Sequence, residues 1–478
     1  MTSSSESESH RAMGKPVMLP SPSTRPSLPA ASEEESPYQQ YVYAYPHQKA
    51  YRLLENGPLL SDLWAGERLD ALSFYAHIPF CEMRCGFCNL FTRTGAPEEV
   101  TGAFLDTLER QARVTREALD AQGRPLRFTL AAFGGGTPTY LTADELVRLC
   151  DISEDVMGVD LRAVSWSVET SPATATADRL AVLAERGATR LSIGVQSFLD
   201  EEARAAVRPQ KREEAEAALA RLKEARFPVL NIDLIYGIDG QTERTFKVSL
   251  DAALAWEPEE IYLYPLYVRP LTGLSTRHAA TPAEWDDQRL RLYRFGRDHL
   301  LSAGYEQTSM RVFRRIGTAA VEDTDGSSIS EYNQQAGMVG LGVGARSFTT
   351  DLHYTTDYAV AVPEVRRIID DYIATPSDRF RRAQWAFRMD GDERRRMYVL
   401  QHLLESSGLD TAGYGRRFGS RFEDDFGPQL DVLLGSHWLR EDGGVLRLTP
   451  EGMARADGIG PMFFSATVRE NMRAYRDR

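Results

Sequence analysis

Three of the four cysteines in this 478-residue chain fall within eight residues, with the spacing Cys81-x3-Cys85-x2-Cys88. Four cysteines in a chain of this length do not make a disulfide scaffold, and such crowding points to iron or zinc. A structural zinc ion takes four closed ligands. The fourth cysteine, Cys150, lies 62 residues beyond Cys88 in a helical pattern, and the one nearby histidine, His77, falls inside a strand pattern. A tetrahedral site would therefore be left open. A cubane iron–sulfur cluster held by three thiolates leaves one iron free for an outside ligand, which is a chemical use rather than a structural one.

Other residues carry chemistry of their own. In FGGGTPTYL (133–141), Gly134, Gly135 and Gly136 end a strand pattern, and their missing side chains let backbone amides approach a ligand while Thr137 supplies a hydroxyl. No Gly-Lys-Ser/Thr follows, so this is not a nucleotide-binding P-loop. Glu169 closes a third strand pattern, where an ionised carboxylate needs a cationic or hydroxyl partner. Asp233 sits inside the apolar run NIDLIYG and needs a partner for the same reason. The Tyr-rich run YLYPLYV (262–268) reads as core and pocket wall. Cys150 reads as helix core. His10, His47, His278, His299, His353, His402 and His437 lie in no ligand spacing and are expected to be structural or exposed.

The elements that must position these residues follow from periodicity. Strand patterns occupy 72–80, 127–136, 163–170, 190–198, 229–237 and 261–268, separated by amphipathic stretches such as 213–227. Six strand–helix units in succession predict an α/β fold with a parallel sheet, either a barrel or a doubly wound sheet, with chemistry at the C-terminal strand ends. The strand-rich region spans 71–270 and is followed by a region that completes it, 271–375. That second region holds a long helix (283–303), a strand around 305–312 and the Gly-rich stretch MVGLGVGARSF (338–348). Residues 376–478 end in two short strands about Asp442-Gly443-Gly444 and then a helix, the pattern of an α+β winged-helix-like accessory domain. Residues 1–36, rich in Ser, Pro and Glu, predict a disordered tail. The Tyr-rich extension 37–70 predicts a segment packed on the outside with its rings buried and its hydroxyls wet.

Net charge is −13, and residues 421–445 of the winged-helix-like region carry two Arg against six acids. Nucleic acid and anionic membranes are therefore not expected partners. No run of 18 apolar residues and no signal peptide is visible, so a cytoplasmic protein is expected.

YAHIPFCEMRCGFCNLF resembles the three-cysteine signature of radical S-adenosylmethionine (SAM) enzymes. Tyr75, His77, Ile78, Pro79 and Phe80 resemble the oxygen-independent coproporphyrinogen III oxidase-like (HemN/HemW-like) branch of that superfamily. FGGGTPTYL, RLSIGVQSF (190–198), NIDLIYG with Gln241 and Thr242, and GLGVGARSF (340–348) occur in that branch's order, and the resemblance covers about residues 70–460. It implies a partial (β/α)6 TIM-like barrel and a four-iron four-sulfur cluster on Cys81, Cys85 and Cys88. It also implies SAM on the open iron, cleaved reductively to a 5′-deoxyadenosyl radical, and a flavodoxin- or ferredoxin-type electron donor. Gly135, Gly136, Thr137 and Glu169 are thereby implied for SAM. Gln196, Arg208 and Asp233 match positions that line a second SAM site, and Tyr75, Phe87 and Arg346 match further binding positions.

The oxidases of the branch carry a fourth cysteine where this chain has Leu90. The haem chaperones carry His-Asn and Tyr-Trp where this chain has EYNQQAGM (331–338). Three outcomes on a small-molecule substrate are implied. They are C-methyl transfer with two SAM molecules, which the retained Gln196, Arg208 and Asp233 fit, oxidative decarboxylation of a porphyrinogen-like acid, and haem binding without catalysis. The first is the reading carried forward.

Overall fold

The computed structural model describes residues 36–42, 44–269, 271–274, 282–318 and 337–475. The expected tail, and residues 331–336 of EYNQQAGM, lie outside the described residues apart from Ser36. Ser36–Arg478 hold together as one unit.

Six strands form where the apolar runs were read: β1 (Leu72–Ile78), β2 (Phe128–Gly135), β3 (Ser165–Thr170), β4 (Arg190–Gln196), β5 (Val229–Tyr236) and β6 (Glu260–Pro265). Helices Glu98–Asp120, Ala143–Asp151, Ala177–Glu185, Arg212–Ala225 and Glu243–Leu254 connect them, and each strand pairs in parallel with the next. The long helix runs Pro282–Ser302. A seventh parallel strand, β7 (Met338–Leu341), pairs with the outer edge of β1 and is built from the Gly-rich stretch. Antiparallel strands flank this core on both sides, and the sheet remains open between Tyr305–Gln307 at one edge and Arg52–Leu53 at the other. The predicted partial barrel is thus what forms. The expected single strand at 305–312 is instead the hairpin Tyr305–Gln307 and Val312–Arg315.

Local sequence explains how the strand ends are held. Thr142 caps the helix after β2 by accepting the Glu145 amide, while Glu145 Oε2 accepts the Thr142 amide at 2.9 Å, a reciprocal box that fixes the turn after the glycines. In β3, Trp166, Val168 and Thr170 are buried and alternate with the half-buried Ser165, Ser167 and Glu169. Glu169 therefore stands on the face opposite the packed core, at the C-terminal end of its strand.

The last hundred residues give helices Gly391–Leu403, Thr411–Phe418 and Phe422–Gly435. A three-stranded sheet made of Leu409–Asp410, Val445–Leu448 and Leu439–Asp442 follows the winged-helix-like expectation. Gly443 and Gly444 form its turn with φ of +61° and +83°, values that glycine adopts at little cost. A buried ion pair, Arg311 with Asp457, joins this region to the strand-rich one, and Tyr267 donates its hydroxyl to the same carboxylate.

The rings of Tyr38, Tyr45 and Tyr51 are buried, as the sequence predicts. The hydroxyls are not wet, however: those of Tyr38 and Tyr51 are buried, and that of Tyr45 donates to buried Glu393 and accepts the Ser465 amide at 3.2 Å. The expectation fails there because helices Gly391–Leu403 and Ala466–Ala474 supply partners to the extension. Among the described residues, no helix is long and apolar enough to cross a membrane.

Candidate active site

The three cysteines follow β1, and hydrogen-bond donors from two other segments reach them. Thr137 Oγ1, just beyond β2, donates to Cys81 Sγ at 3.4 Å. Arg208 Nη1, in the segment after β4, donates to Cys85 Sγ at 3.1 Å. Thr92 Oγ1 lies 3.9 Å from Cys88 Sγ. Burial pushes the Cys81 and Cys88 thiols up, with neighbouring cysteines adding to the effect.

The loop is pinned where it meets the rest of the sheet. The Gly86 amide donates to the carbonyls of Ala206 and Val207, both at 3.2 Å, and the Leu274 amide donates back to Gly86 at 2.9 Å. A Cβ at position 86 would stand 2.6 Å from Val207 Cβ, so only glycine permits this approach. Glu82 accepts the Ser171 hydroxyl at 2.7 Å, while its second oxygen is buried with no hydrogen-bond partner among the described residues.

As placed, no three or more His, Cys, Asp or Glu side chains among the described residues form a group able to bind a metal ion. A cubane spreads its thiolates further apart than a single ion does. Three sulfurs on one loop, each with a hydroxyl or guanidinium beside it, form a donor set that fits such a cluster. The same set lacks the fourth ligand a closed zinc site requires. Cys150 is fully buried in helix Ala143–Asp151, away from the loop, and burial pushes its thiol up to about 12.

The glycine motif works differently from its sequence reading. The Gly135 amide donates to Glu169 Oε2 at 3.0 Å, the Gly136 amide to Ile78 O at 2.8 Å and the Thr137 amide to Phe80 O at 2.7 Å. These amides are engaged within the protein, so they do not cradle a ligand. They lock β2 to β1 and to the cluster loop, because both strands end at the same level of the sheet. Gly135 has φ +110°, and a Cβ there would lie 2.5 Å from the His77 ring. The Thr137 hydroxyl is likewise turned to Cys81.

Around β4 and β5 the predicted residues converge. Gln196 adopts φ +70° at a register shift between Gly194 and Gln196, and Gly194 pairs with Asp233 across the strands. A Cβ on Gly194 would meet Gln196 Nε2 at 2.7 Å and Arg208 Nη2 at 4.0 Å, so these side chains share one spot. Asp233 Oδ1 accepts Asn231 Nδ2 at 2.7 Å, and Asn231 Nδ2 also donates to Ser192 Oγ at 2.5 Å. Asp233 thus has the partner its position demanded. Arg208 is not joined to Asp233. Its guanidinium holds Cys85, Gly194 O at 2.6 Å and Gln210 Oε1 at 2.8 Å. Phe87 packs in an apolar cluster with Ile235, Leu266 and Trp285 at the ends of β5 and β6.

On the other side of β1, Tyr75 is buried with its hydroxyl 3.2 Å from His77 Nδ1. Arg346, in strand Arg346–Phe348, is buried nearby. Burial, with Arg346 adding to it, holds His77 down to about 4 and His353 to about 3. Tyr75 and Arg346 therefore lie on the β7 side of the sheet, while Gln196, Arg208 and Asp233 lie at β4 and β5. Glu82, Thr92, Ser171, Asn231 and Gln210 belong to the site's hydrogen-bonding and escaped the sequence reading. Only Glu82, an acid set between two of the cysteines, carried a visible signal.

Residues 75–253 match the radical SAM superfamily model. The chain is similar to the haem chaperone HemW of Bacillus subtilis, at 26% identity over 80% of this chain and 96% of that one. It is similar to oxygen-independent coproporphyrinogen III oxidases of Paracoccus denitrificans, at 28% over 82% and 86%, and of Escherichia coli, at 29% over 76% and 78%. Its fold is similar to the solved structure of coproporphyrinogen III oxidase (HemN) from Escherichia coli, with a TM-score of 0.75 at 23% identity over 88% of this chain and 96% of that one.

Proposed function

We propose that this chain, a radical SAM protein of the coproporphyrinogen III oxidase and HemW type, is an enzyme that cleaves SAM reductively and oxidises a small carboxylated molecule of the porphyrinogen kind. When bound, the cluster supplies the electron that cleaves SAM to methionine and a 5′-deoxyadenosyl radical. The observation that carries the reading is the triad Cys81, Cys85 and Cys88 with Thr137 and Arg208 donating to two of its sulfurs. A flavodoxin- or ferredoxin-type protein is the proposed electron source.

The chain's own residues have separable tasks. Cys81, Cys85 and Cys88 would hold the cluster. Glu169, oriented by the Gly135 amide, offers its carboxylate to the ammonium or a hydroxyl of SAM. Asp233, oriented by Asn231, and Gln196 offer acceptors to a ligand at the ends of β4 and β5. Phe87 and its apolar neighbours provide a wall from which water is excluded. Tyr75 and Arg346 border the opposite side and suit a carboxylate of the substrate.

C-methyl transfer with two SAM molecules, the outcome carried forward from sequence, loses support on two counts. The names of the relatives speak of oxidation and haem handling, and the arginine expected in the second SAM site has all three of its nitrogens engaged within the protein. The test is incubation of the reduced, cluster-bearing protein with SAM and coproporphyrinogen III. Carbon dioxide and 5′-deoxyadenosine in step with substrate loss are expected. S-adenosylhomocysteine with a methylated product would overturn the reading in favour of methyl transfer, and a bound haem without turnover would overturn it in favour of a chaperone.

A further inference from the structure

We propose that the last helix, Ala466–Ala474, and segment 47–52 of the Tyr-rich extension form the docking surface for a small acidic electron carrier beside the cysteine loop. The surface serves the cluster proposed above and depends on that reading. The two segments carry Lys49, Arg52, Arg469 and Arg473 against one acid, Glu470, in a chain whose net charge is −13. Hydrogen bonds tie them into one face. Arg52 donates to Asn471 O, Asn471 Nδ2 donates to Ala50 O at 3.0 Å, and the Lys49 ammonium stands 5.5 Å from the centre of the Tyr475 ring. Burial, with Arg396 and Arg473 adding to it, holds the Arg469 guanidinium below its usual range. Like charges gathered on one face repel each other, and an anionic partner offsets that cost.

A short path leads from this face to the cysteines. The Tyr475 hydroxyl donates to Tyr358 O at 2.9 Å, the two rings lie 6.4 Å apart, and the Tyr358 hydroxyl donates to the carbonyl of Asn89 at 2.9 Å. Asn89 directly follows Cys88. Arg84, between Cys81 and Cys85, brings a further cation to the same segment by donating to Val360 O at 2.5 Å. Asn89 and Leu90 are exposed, Leu90 by 52%, so the loop reaches the surface next to Tyr358 with an apolar side chain. The acid on that segment, Asp357, faces Arg367 Nη2 at 3.8 Å and is offset by it. Cations beside one exposed apolar residue suit a brief encounter with an acidic protein, because charge steers the approach and a small contact lets the partner leave. In the encounter the carrier loses one electron and the oxidised cluster gains it. No bond is made or broken in either protein.

The experiment titrates the full chain calorimetrically with a purified acidic flavodoxin in its oxidised form. It compares wild type, the pair Arg469→Glu with Arg473→Glu, Arg473→Glu alone, and the control pair Lys223→Glu with Lys247→Glu. The control changes net charge equally, on helices Arg212–Ala225 and Glu243–Leu254. Wild type and the control pair should bind alike and lose affinity as salt rises. The Arg469 and Arg473 pair should bind more weakly by about tenfold or more, and Arg473→Glu alone should be weakened less. In reconstituted protein the rate of cluster reduction by flavodoxin hydroquinone should fall in parallel, while 5′-deoxyadenosine release driven by dithionite stays at the wild-type level. A wild type that does not bind flavodoxin, wild-type affinity in the Arg469 and Arg473 pair, or equal weakening in the control pair overturns the docking surface alone. Should the Arg469 and Arg473 pair not fold, wild-type affinity in Arg473→Glu overturns it instead. A wild-type dimer that this pair dissolves without loss of flavodoxin affinity assigns the face to a second copy of the chain and overturns it too. A wild type that releases no 5′-deoxyadenosine with dithionite overturns the cluster reading together with this one.

Discussion

Glu169 Oε2 accepts the amide of Gly135 at 3.0 Å, which fixes a carboxylate at the end of β3 against the glycine turn at the end of β2. That contact orients the carboxylate proposed to hold SAM. Glu169→Ala is expected to weaken SAM binding to the cluster-bearing enzyme by about 1–3 kcal/mol, the range for losing a charge-assisted contact. Glu169→Gln, which keeps one carbonyl acceptor, should lose less. Calorimetric titration with SAM measures both, and an unchanged affinity in the alanine variant would place the SAM site elsewhere.

Gly135 has φ +110° and faces the His77 ring. Gly135→Ala is expected to destabilise the fold by about 2–5 kcal/mol, as backbone strain adds to overpacking. Chemical denaturation of the variant measures this. A loss below about 1 kcal/mol would mean that the glycine is not required by packing.

Asp457 is 2% exposed and holds both Arg311 and Tyr267. Asp457→Ala leaves a buried guanidinium uncompensated and should cost about 3–5 kcal/mol. The same change should speed proteolysis between the winged-helix-like region and the rest. Limited proteolysis at the wild-type rate would contradict a role for this pair in joining them.

His77 and His353 are held neutral, at about 4 and about 3, chiefly by burial and further by Arg346. Both values lie below the unfolded value of about 6.5, so the unfolded chain binds protons that the folded chain refuses. Stability from these groups is fully present above about pH 6.5 and is lost as pH falls toward 4, by up to about 1.4 kcal/mol per pH unit for each. Urea unfolding at pH 7, 6 and 5 gives the slope. His353→Gln should reduce that slope by one proton's worth, and an unaltered slope would show that His353 is not buried neutral.

The six parallel strands were legible because each is a short apolar run, such as NIDLIYG, bounded by turn residues. The strand β7 was not, since Met338–Leu341 joins the edge of β1 through a pairing that spans more than 260 residues of sequence, which local periodicity does not record. The cysteine triad was legible from spacing alone. The use of Gly135, Gly136 and Thr137 was misread because glycine at a strand end fits both a ligand cradle and close strand packing, and only the partners of their amides distinguish the two. Arg208 was placed correctly near Gln196, but its engagement with Cys85 depends on the approach of the loop through Gly86, a contact across 123 residues of chain.

The central claim is that the loop after β1 carries an iron–sulfur cluster that cleaves SAM. It is tested most directly by measuring 5′-deoxyadenosine released from SAM by the anaerobically reconstituted, dithionite-reduced protein. The wild type should bind about one cubane cluster and release 5′-deoxyadenosine, as should Cys150→Ala, whose thiol is helix core. Joint replacement of Cys81, Cys85 and Cys88 by alanine should abolish both. A triple variant that kept its full iron and sulfide, or a wild type that bound iron yet released no 5′-deoxyadenosine, would contradict the account.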